Sequence, residues 1–355
     1  MPFTNFAKNS AAFLNRSCRS WTTCILVAIA AAMLVSANGW AQNTPLCKKE
    51  VPRITFDNIS PPFDQFDYFQ KHLFFPFECG ASSFSLINAW WLAEASTLVY
   101  SDAEYAWQRL RQAGFQQVQF IEHAGTYCFV AANDRFAIVA FRGSEIWRRE
   151  EHFDAQRILA DLKTNIDIRF SDWSEGERVH SGFKAALEEI WTALKPEIEK
   201  LQAQGLKVWL TGHSLGAALA TLAADRLDDV QGLYTFGSPR VGDKGFQAHF
   251  HVNAYRVVNG KDIVPTVPGE GPFRHVGERV WIARDGSLQD RNGREGALLD
   301  NGCGEEINAS GDTVKGSQID SGLLIPRAFR DHNPMLYSIF LWNALVEKRN
   351  ADGNM

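Results

Sequence analysis

Apolar positions along this chain repeat with two different spacings, one helical and one extended. From about Ser82 to Tyr100 the run FSLINAWWLAEASTLVY reads as a helix, amphipathic at first and then apolar all round. A second helix is expected at about Asp102 to Ala113, with Ser101 as its N-cap. Three short apolar runs follow, Phe115 to Ile121, Tyr127 to Ala131 and Arg135 to Phe141, and these read as strands. Residues 182–203 carry Phe183, Leu187, Ile190, Leu194 and Ile198 at helical spacing. An apolar strand at Val208 to Leu210, an alanine-rich helix, and strands at Gly232–Phe236 and Ala254–Val258 complete the pattern. Strands alternating with helices predict an α/β fold: a mostly parallel central sheet with helices on both faces. In such sheets, sites form at the carboxyl ends of strands.

One junction in this pattern carries chemistry. Gly212-His213-Ser214-Leu215-Gly216 lies between the Val208–Leu210 strand and the helix containing Ala217, Ala218, Ala220, Ala223 and Ala224. A Gly-x-Ser-x-Gly recurs by chance in roughly one chain in ten of this length. A strand before it and a small-residue helix after it are what turn it into a nucleophile elbow. A serine hydroxyl needs a base to take its proton and a carboxylate to orient that base. Around such an elbow these follow in the order acid, then histidine.

Asp262 is the best acid, because it follows the apolar run Tyr255 to Val258 and the Asn259-Gly260 turn, with Pro265 preventing regular continuation. Asp243, in a Gly-rich loop, and Asp229, at a polar helix end, are weaker candidates. Of the two later histidines, His332 precedes a helix that Asn333 can cap and Pro334 can open, whereas His275 enters a strand. His332 is therefore the expected base, and its neighbour Asp331 the expected surface or helix-terminal charge. An oxyanion needs fixed donors. The N–H of Leu215 supplies one, and Ser144, in the turn after the strand ending at Phe141, supplies the other.

Composition changes the picture at the edges. Lys8, Arg16 and Arg19, the apolar stretch from Cys24 to Val35 and the small residues up to Ala41 read as a signal peptide over 1–41, and export to the periplasm or medium is expected; the alternative is an uncleaved membrane anchor, for which the apolar run is short. That segment holds three basic and no acidic residues, so a formal charge of −5 for the chain becomes −8 for residues 42–355. An acidic body argues against nucleic acid as a partner. Residues 42–355 are expected to form a single domain with an aromatic N-terminal extension at 42–80. Cys47, Cys79, Cys128 and Cys303 permit disulfides, and at least one is expected, although Cys128 sits in an apolar run that suits a buried thiol.

Several segments together resemble the class 3 lipases, the fungal-type triacylglycerol lipases of the α/β-hydrolase fold. They are LAEASTLVY (92–100), VAFRGSE (139–145), VHSGFKAAL (179–187), VWLTGHSLGAALATLAA (208–224), YTFGSPRVGDKGF (234–246), YRVVNGKDIVPTVP (255–268), HVGERVW (275–281) and DHNPMLY (331–337). The resemblance implies Ser214, Asp262 and His332 as the catalytic residues and Ser144 and Leu215 at the oxyanion hole. It implies structural roles for His213 and His275, an ester or lipid substrate, and no metal or organic cofactor. It further implies a lid at 145–158, EIWRREEHFDAQRI, which would touch a lipid interface. The aromatic stretch 63–77 and a polar insertion at about 284–326 depart from the pattern. Rivals on the same triad are a phospholipase A, a feruloyl-type esterase and a polyester depolymerase; the rival outside catalysis is an inactive lipase-like binding scaffold.

Overall fold

Ser85 opens helix α1 (Leu86–Leu98) by accepting the Asn88 N–H at 3.0 Å. Every residue from Asn88 to Leu98 is buried, as an apolar pattern without a polar face requires. The computed structural model in which this is seen describes residues 46–55, 57–63, 65–144, 169–289 and 325–353. The expected leader at 1–41, the expected lid at 145–158, Cys303 and residues 290–324 of the polar insertion lie outside the described residues.

Helix α2 (Ala103–Gln112) is capped by Asp102, which accepts from the Glu104 and Tyr105 N–H groups. The expected cap, Ser101, is displaced by one residue because the carboxylate of Asp102 reaches two orphan donors at once. Strands β1 (Gln117–His123), β2 (Thr126–Ala132) and β3 (Phe136–Phe141) form an antiparallel meander. Ala124 and Gly125, both at positive φ, make the two-residue turn between the first pair, and a loop that short can only reverse the chain. A small separate pair, β4 (Phe170–Asp172) and β5 (Arg178–His180), leads into α3 (Ser181–Ala203).

From there the crossovers are long enough for parallel pairing. β6 (Lys207–His213), α4 (Leu215–Arg226), β7 (Val230–Phe236), α5 (Lys244–His249), β8 (Ala254–Asn259), β9 (Glu278–Ile282) and β10 (Leu288–Gln289) follow in turn. Helices α6 (Arg327–Arg330) and α7 (Pro334–Asp352) close the chain. The sheet runs β1-β2-β3-β6-β7-β8-β9-β10, parallel from β3 to β9. This is an α/β architecture with a mostly parallel central sheet. Val208 and Leu210 face α3 and α4 in one core cluster with Leu187, Ile190, Leu219 and Leu222. Trp209, between them, faces the other way and meets Phe77 edge-on at 5.3 Å.

Packing accounts for the aromatic stretch 63–77. Phe63, Tyr68, Phe69, Phe75 and Phe77 are buried. Phe69 lies 5.1 Å from Trp91, Phe75 lies 5.7 Å from Trp342, and Phe77 stacks on Phe136 at 4.2 Å. A buried carboxylate ties this segment down: Glu94 accepts from the Phe69 N–H and from Trp90 Nε1, and lies 3.5 Å from Lys49 Nζ. Burial pushes the Glu94 carboxyl above its ordinary range despite that lysine.

Cys47, Cys79 and Cys128 are free thiols, so the expected disulfide is not found among the described residues. Cys128 lies fully buried in β2, where burial pushes its thiol up beyond any ordinary titration and its role is that of a small apolar side chain. Among the described residues no helix is long and apolar enough to cross a membrane.

Candidate active site

Between the end of β6 at His213 and the start of α4 at Leu215 the chain has a single residue in which to turn. Ser214 makes the turn at φ 59, ψ −128, a conformation that costs a residue with a Cβ on the order of 1–3 kcal/mol. Its N–H is held by Phe236 O at 3.0 Å and its own carbonyl accepts from Ala217 at 3.0 Å. The flanking glycines are there for clearance. A Cβ on Gly212 would stand 2.3 Å from the Gly216 carbonyl, and one on Gly216 would stand 2.1 Å from Phe141 O. Both glycines therefore let the start of α4 press against the ends of β6 and β3. Leu215 is the first helical residue, so its N–H has no acceptor within the helix.

Asp262 and His332 meet where the sequence predicts. His332 Nδ1 lies 2.9 Å from Asp262 Oδ2 and 3.0 Å from Oδ1, with His332 3% and Asp262 0% exposed. The carboxylate takes two further donors: the Val264 N–H reaches Oδ1 at 2.9 Å and the Tyr337 hydroxyl reaches Oδ2 at 2.5 Å. Tyr337 in turn accepts the Asn259 N–H at 3.2 Å. Burial, then the adjacent carboxylate, push the Tyr337 phenol well above its ordinary value, which keeps it a donor. A carboxylate that accepts from so many donors is fixed in place. Asn333 caps α7 by accepting the Met335 N–H, and Pro334 opens the helix, so the imidazole sits at a helix mouth as expected.

The other polar residues divide cleanly. His213 is fully buried, and its Nε2 lies 2.7 Å from the His332 carbonyl while Nδ1 faces the Tyr100 hydroxyl at 3.1 Å. Burial, helped by His332, pushes its imidazole well below the ordinary histidine value. The neutral ring therefore donates from Nε2 and lies tilted by 35° against the His332 ring, with centroids 4.3 Å apart. His275 donates from Nε2 to Pro265 O at 2.8 Å and lines a different cavity with Arg256 and Thr235. Asp331 pairs with Arg327 at 3.1 Å and accepts the Lys261 N–H at 2.7 Å, bracing the turn that carries Asp262. Asp243 caps α5 and pairs with Arg178, and Asp229 is exposed.

Ser214, His332 and Ser144 line one cleft, together with Tyr100, His213, Asn333, Pro334, Phe329, Ile59 and Pro61. A strained serine, a histidine whose Nδ1 is fixed by a buried carboxylate, and two half-buried residues bearing N–H donors beside them can perform nucleophilic acyl transfer.

Sequence reading did not single out Tyr337 or Gly237. A tyrosine within an otherwise apolar helical run was the available signal for the first, since a buried phenol must find a partner. Gly237 follows β7 at φ +57, and a Cβ there would stand 2.6 Å from Asp262 Oδ2 and 2.9 Å from His332 Nδ1. Gly237→Ala is expected to push the pair apart and lower kcat by on the order of 10²-fold, with a smaller change in KM. Steady-state kinetics on a soluble ester checks this, and an unaltered kcat would remove Gly237 from the site's support.

Residues 138–271 match the family model described as lipase (class 3). A secreted mono- and diacylglycerol lipase of Malassezia restricta is 38% identical over 193 residues, covering 51% of this chain and 60% of the relative. A lipase of Rhizomucor miehei is 36% identical over 174 residues, 44% of this chain and 45% of the relative. The chain thus spans about half the length of these curated relatives. Among solved structures, a lipase from Rhizopus microsporus var. chinensis is 25% identical, covering 56% of this chain and 73% of that chain with a TM-score of 0.43.

Proposed function

We propose that this chain, which resembles the class 3 lipases through residues 138–271, is an exported serine hydrolase that cleaves the carboxylic esters of acylglycerols. The observation that carries the reading is His332, held by the buried Asp262 carboxylate, lining one cleft with Ser214 in its strained turn. In this mechanism His332 Nε2 takes the Ser214 proton as Oγ attacks the ester carbonyl. The Leu215 N–H and the Ser144 N–H then hold the oxyanion. The imidazolium returns its proton to the leaving alcohol, leaving an acyl-Ser214. His332 next activates water, which releases the fatty acid and restores the serine. Asp262 holds the imidazole with its proton on Nδ1, and the cycle so written uses no metal or organic cofactor. Export is supported by the leader pattern in residues 1–41 and by the word "secreted" in the name of the Malassezia relative.

A hydrolysis panel tests the substrate. Purified protein is given p-nitrophenyl butyrate and palmitate, diolein and triolein emulsions, phosphatidylcholine and methyl ferulate. Acylglycerols are expected to be turned over at least tenfold faster than phospholipid or ferulate. Faster phospholipid hydrolysis would make it a phospholipase A, and no release from any ester would end the hydrolase reading.

A further inference from the structure

The cleft is lined by both polar and apolar side chains. Ser144, Ser214, His213, His332, Tyr100 and Asn333 are its polar lining. Ile59, Pro61, Phe329 and Pro334 make the apolar wall. Ile59 and Pro61 belong to the N-terminal extension, outside the segment that matches the lipase family.

That extension is built into the site. Ile59 is 8% exposed, and together with Ile54 and Phe63 it packs against Phe329, Met335, Leu336 and Ile339. Asn333, the residue after His332, donates from Nδ2 to Asn58 O at 2.7 Å and to Ile59 O at 3.2 Å. Upstream, Lys49 and Asn343 exchange two hydrogen bonds, Lys49 N–H to Oδ1 at 2.7 Å and Nδ2 to Lys49 O at 3.0 Å. Lys49 also faces the buried Glu94. The strap is therefore pinned at both ends, and the carbonyls of Asn58 and Ile59 hang on the loop that presents the proposed base.

We propose that this strap forms the wall of the acyl-binding cleft and that Ile59 sets the length of the acyl chain accepted. The inference rests on the ester-hydrolase reading above. The carbon chain attached to the reacting carbonyl of a fatty ester is a long apolar arm, and an apolar wall beside the reacting serine fits it. A pinned residue offers a fixed wall, because moving Ile59 would strip one of the two acceptors from Asn333 and uncover Phe329 and Ile339.

The test compares kcat/KM for p-nitrophenyl decanoate with that for the butyrate. Ile59→Ala is expected to raise the decanoate-to-butyrate ratio about tenfold and Ile59→Trp to lower it by a similar factor, with Ile59→Val giving a smaller rise. Ile54→Ala removes a side chain from the same apolar cluster but not from the cleft, so it should lower the melting temperature and leave the ratio within about twofold. A ratio that stays constant across the Ile59 series, or that Ile54→Ala moves equally, overturns the proposal. Butyrate hydrolysis by the wild-type protein reports on the hydrolase reading separately; its absence would take both readings down.

Discussion

Ser214→Ala is expected to reduce ester turnover by roughly 10⁶-fold and to abolish labelling by a fluorophosphonate probe, without unfolding the protein. Only Oγ is lost, and the turn is held by backbone contacts from Ser214 N to Phe236 O and from Ala217 N to Ser214 O. Residual turnover would come from the oxyanion donors and the cleft alone. The backbone offers an independent check on the same position. At φ 59 a Cβ is strained, so Ser214→Gly should be as inactive as the alanine variant yet melt at a higher temperature. Fluorophosphonate labelling that survives in Ser214→Ala, or esterase activity within tenfold of wild type, would show that another residue is the nucleophile.

Asp262→Asn is expected to cost about 10⁴-fold in kcat while leaving KM within a few fold. All the groups around this carboxylate are donors: Val264 N–H at Oδ1, Tyr337 O–H at Oδ2 and His332 Nδ1 at both. An asparagine must place its NH₂ where one oxygen was. If it faces Val264, two donors oppose each other in a site without water access. If it faces Tyr337, the phenol must turn its proton away, although it already accepts from the Asn259 N–H. Either way one of the two oxygens facing His332 Nδ1 becomes a donor and the remaining acceptor is neutral, which weakens the hold on the Nδ1 proton and favours the tautomer without the Nε2 lone pair that a base requires. The substitution should also lower thermal stability, since a buried donor is left unsatisfied at a cost of about 1–3 kcal/mol. Steady-state kinetics paired with thermal melts checks both effects. Unchanged kcat would remove Asp262 from the mechanism, whatever its packing.

Much of the site was legible because its requirements are local. A turn made in one residue between a strand and a helix demands glycines on both sides, and Gly212 and Gly216 stand two residues before and after Ser214. Asp262 and His332 were recognisable from the same kind of signal, a strand end followed by a turn and a helix mouth set by Asn333-Pro334. Local signals also misled. Ser101 and Asp102 are both competent caps, and which one is used depends on where the chain leaves α1. The disulfide expectation counted cysteines, but Cys128 is buried facing the core cluster of β2, α3 and α4. The strand pattern marked β1 to β3 correctly but not their direction, which the two-residue Ala124-Gly125 turn decides.

The amino-acid pattern by itself determined the α/β layering, the elbow at Ser214 and the order of the acid and histidine partners, because each depends on spacing within a few residues. Only the tertiary structure decided what supports them. Tyr337 reaches Asp262 across 75 residues, His213 reaches the His332 carbonyl across 119, and Asn333 reaches Asn58 across 275. Such partners share no period and no motif. They are selected by which buried donors and acceptors the fold brings within about 3 Å of each other, and a buried polar group must be satisfied by whatever neighbour folding supplies. The aromatic extension shows the same division: its composition marked Phe63 to Phe77 as unusual, while folding made it a core layer and set Ile59 and Pro61, just upstream, against the cleft.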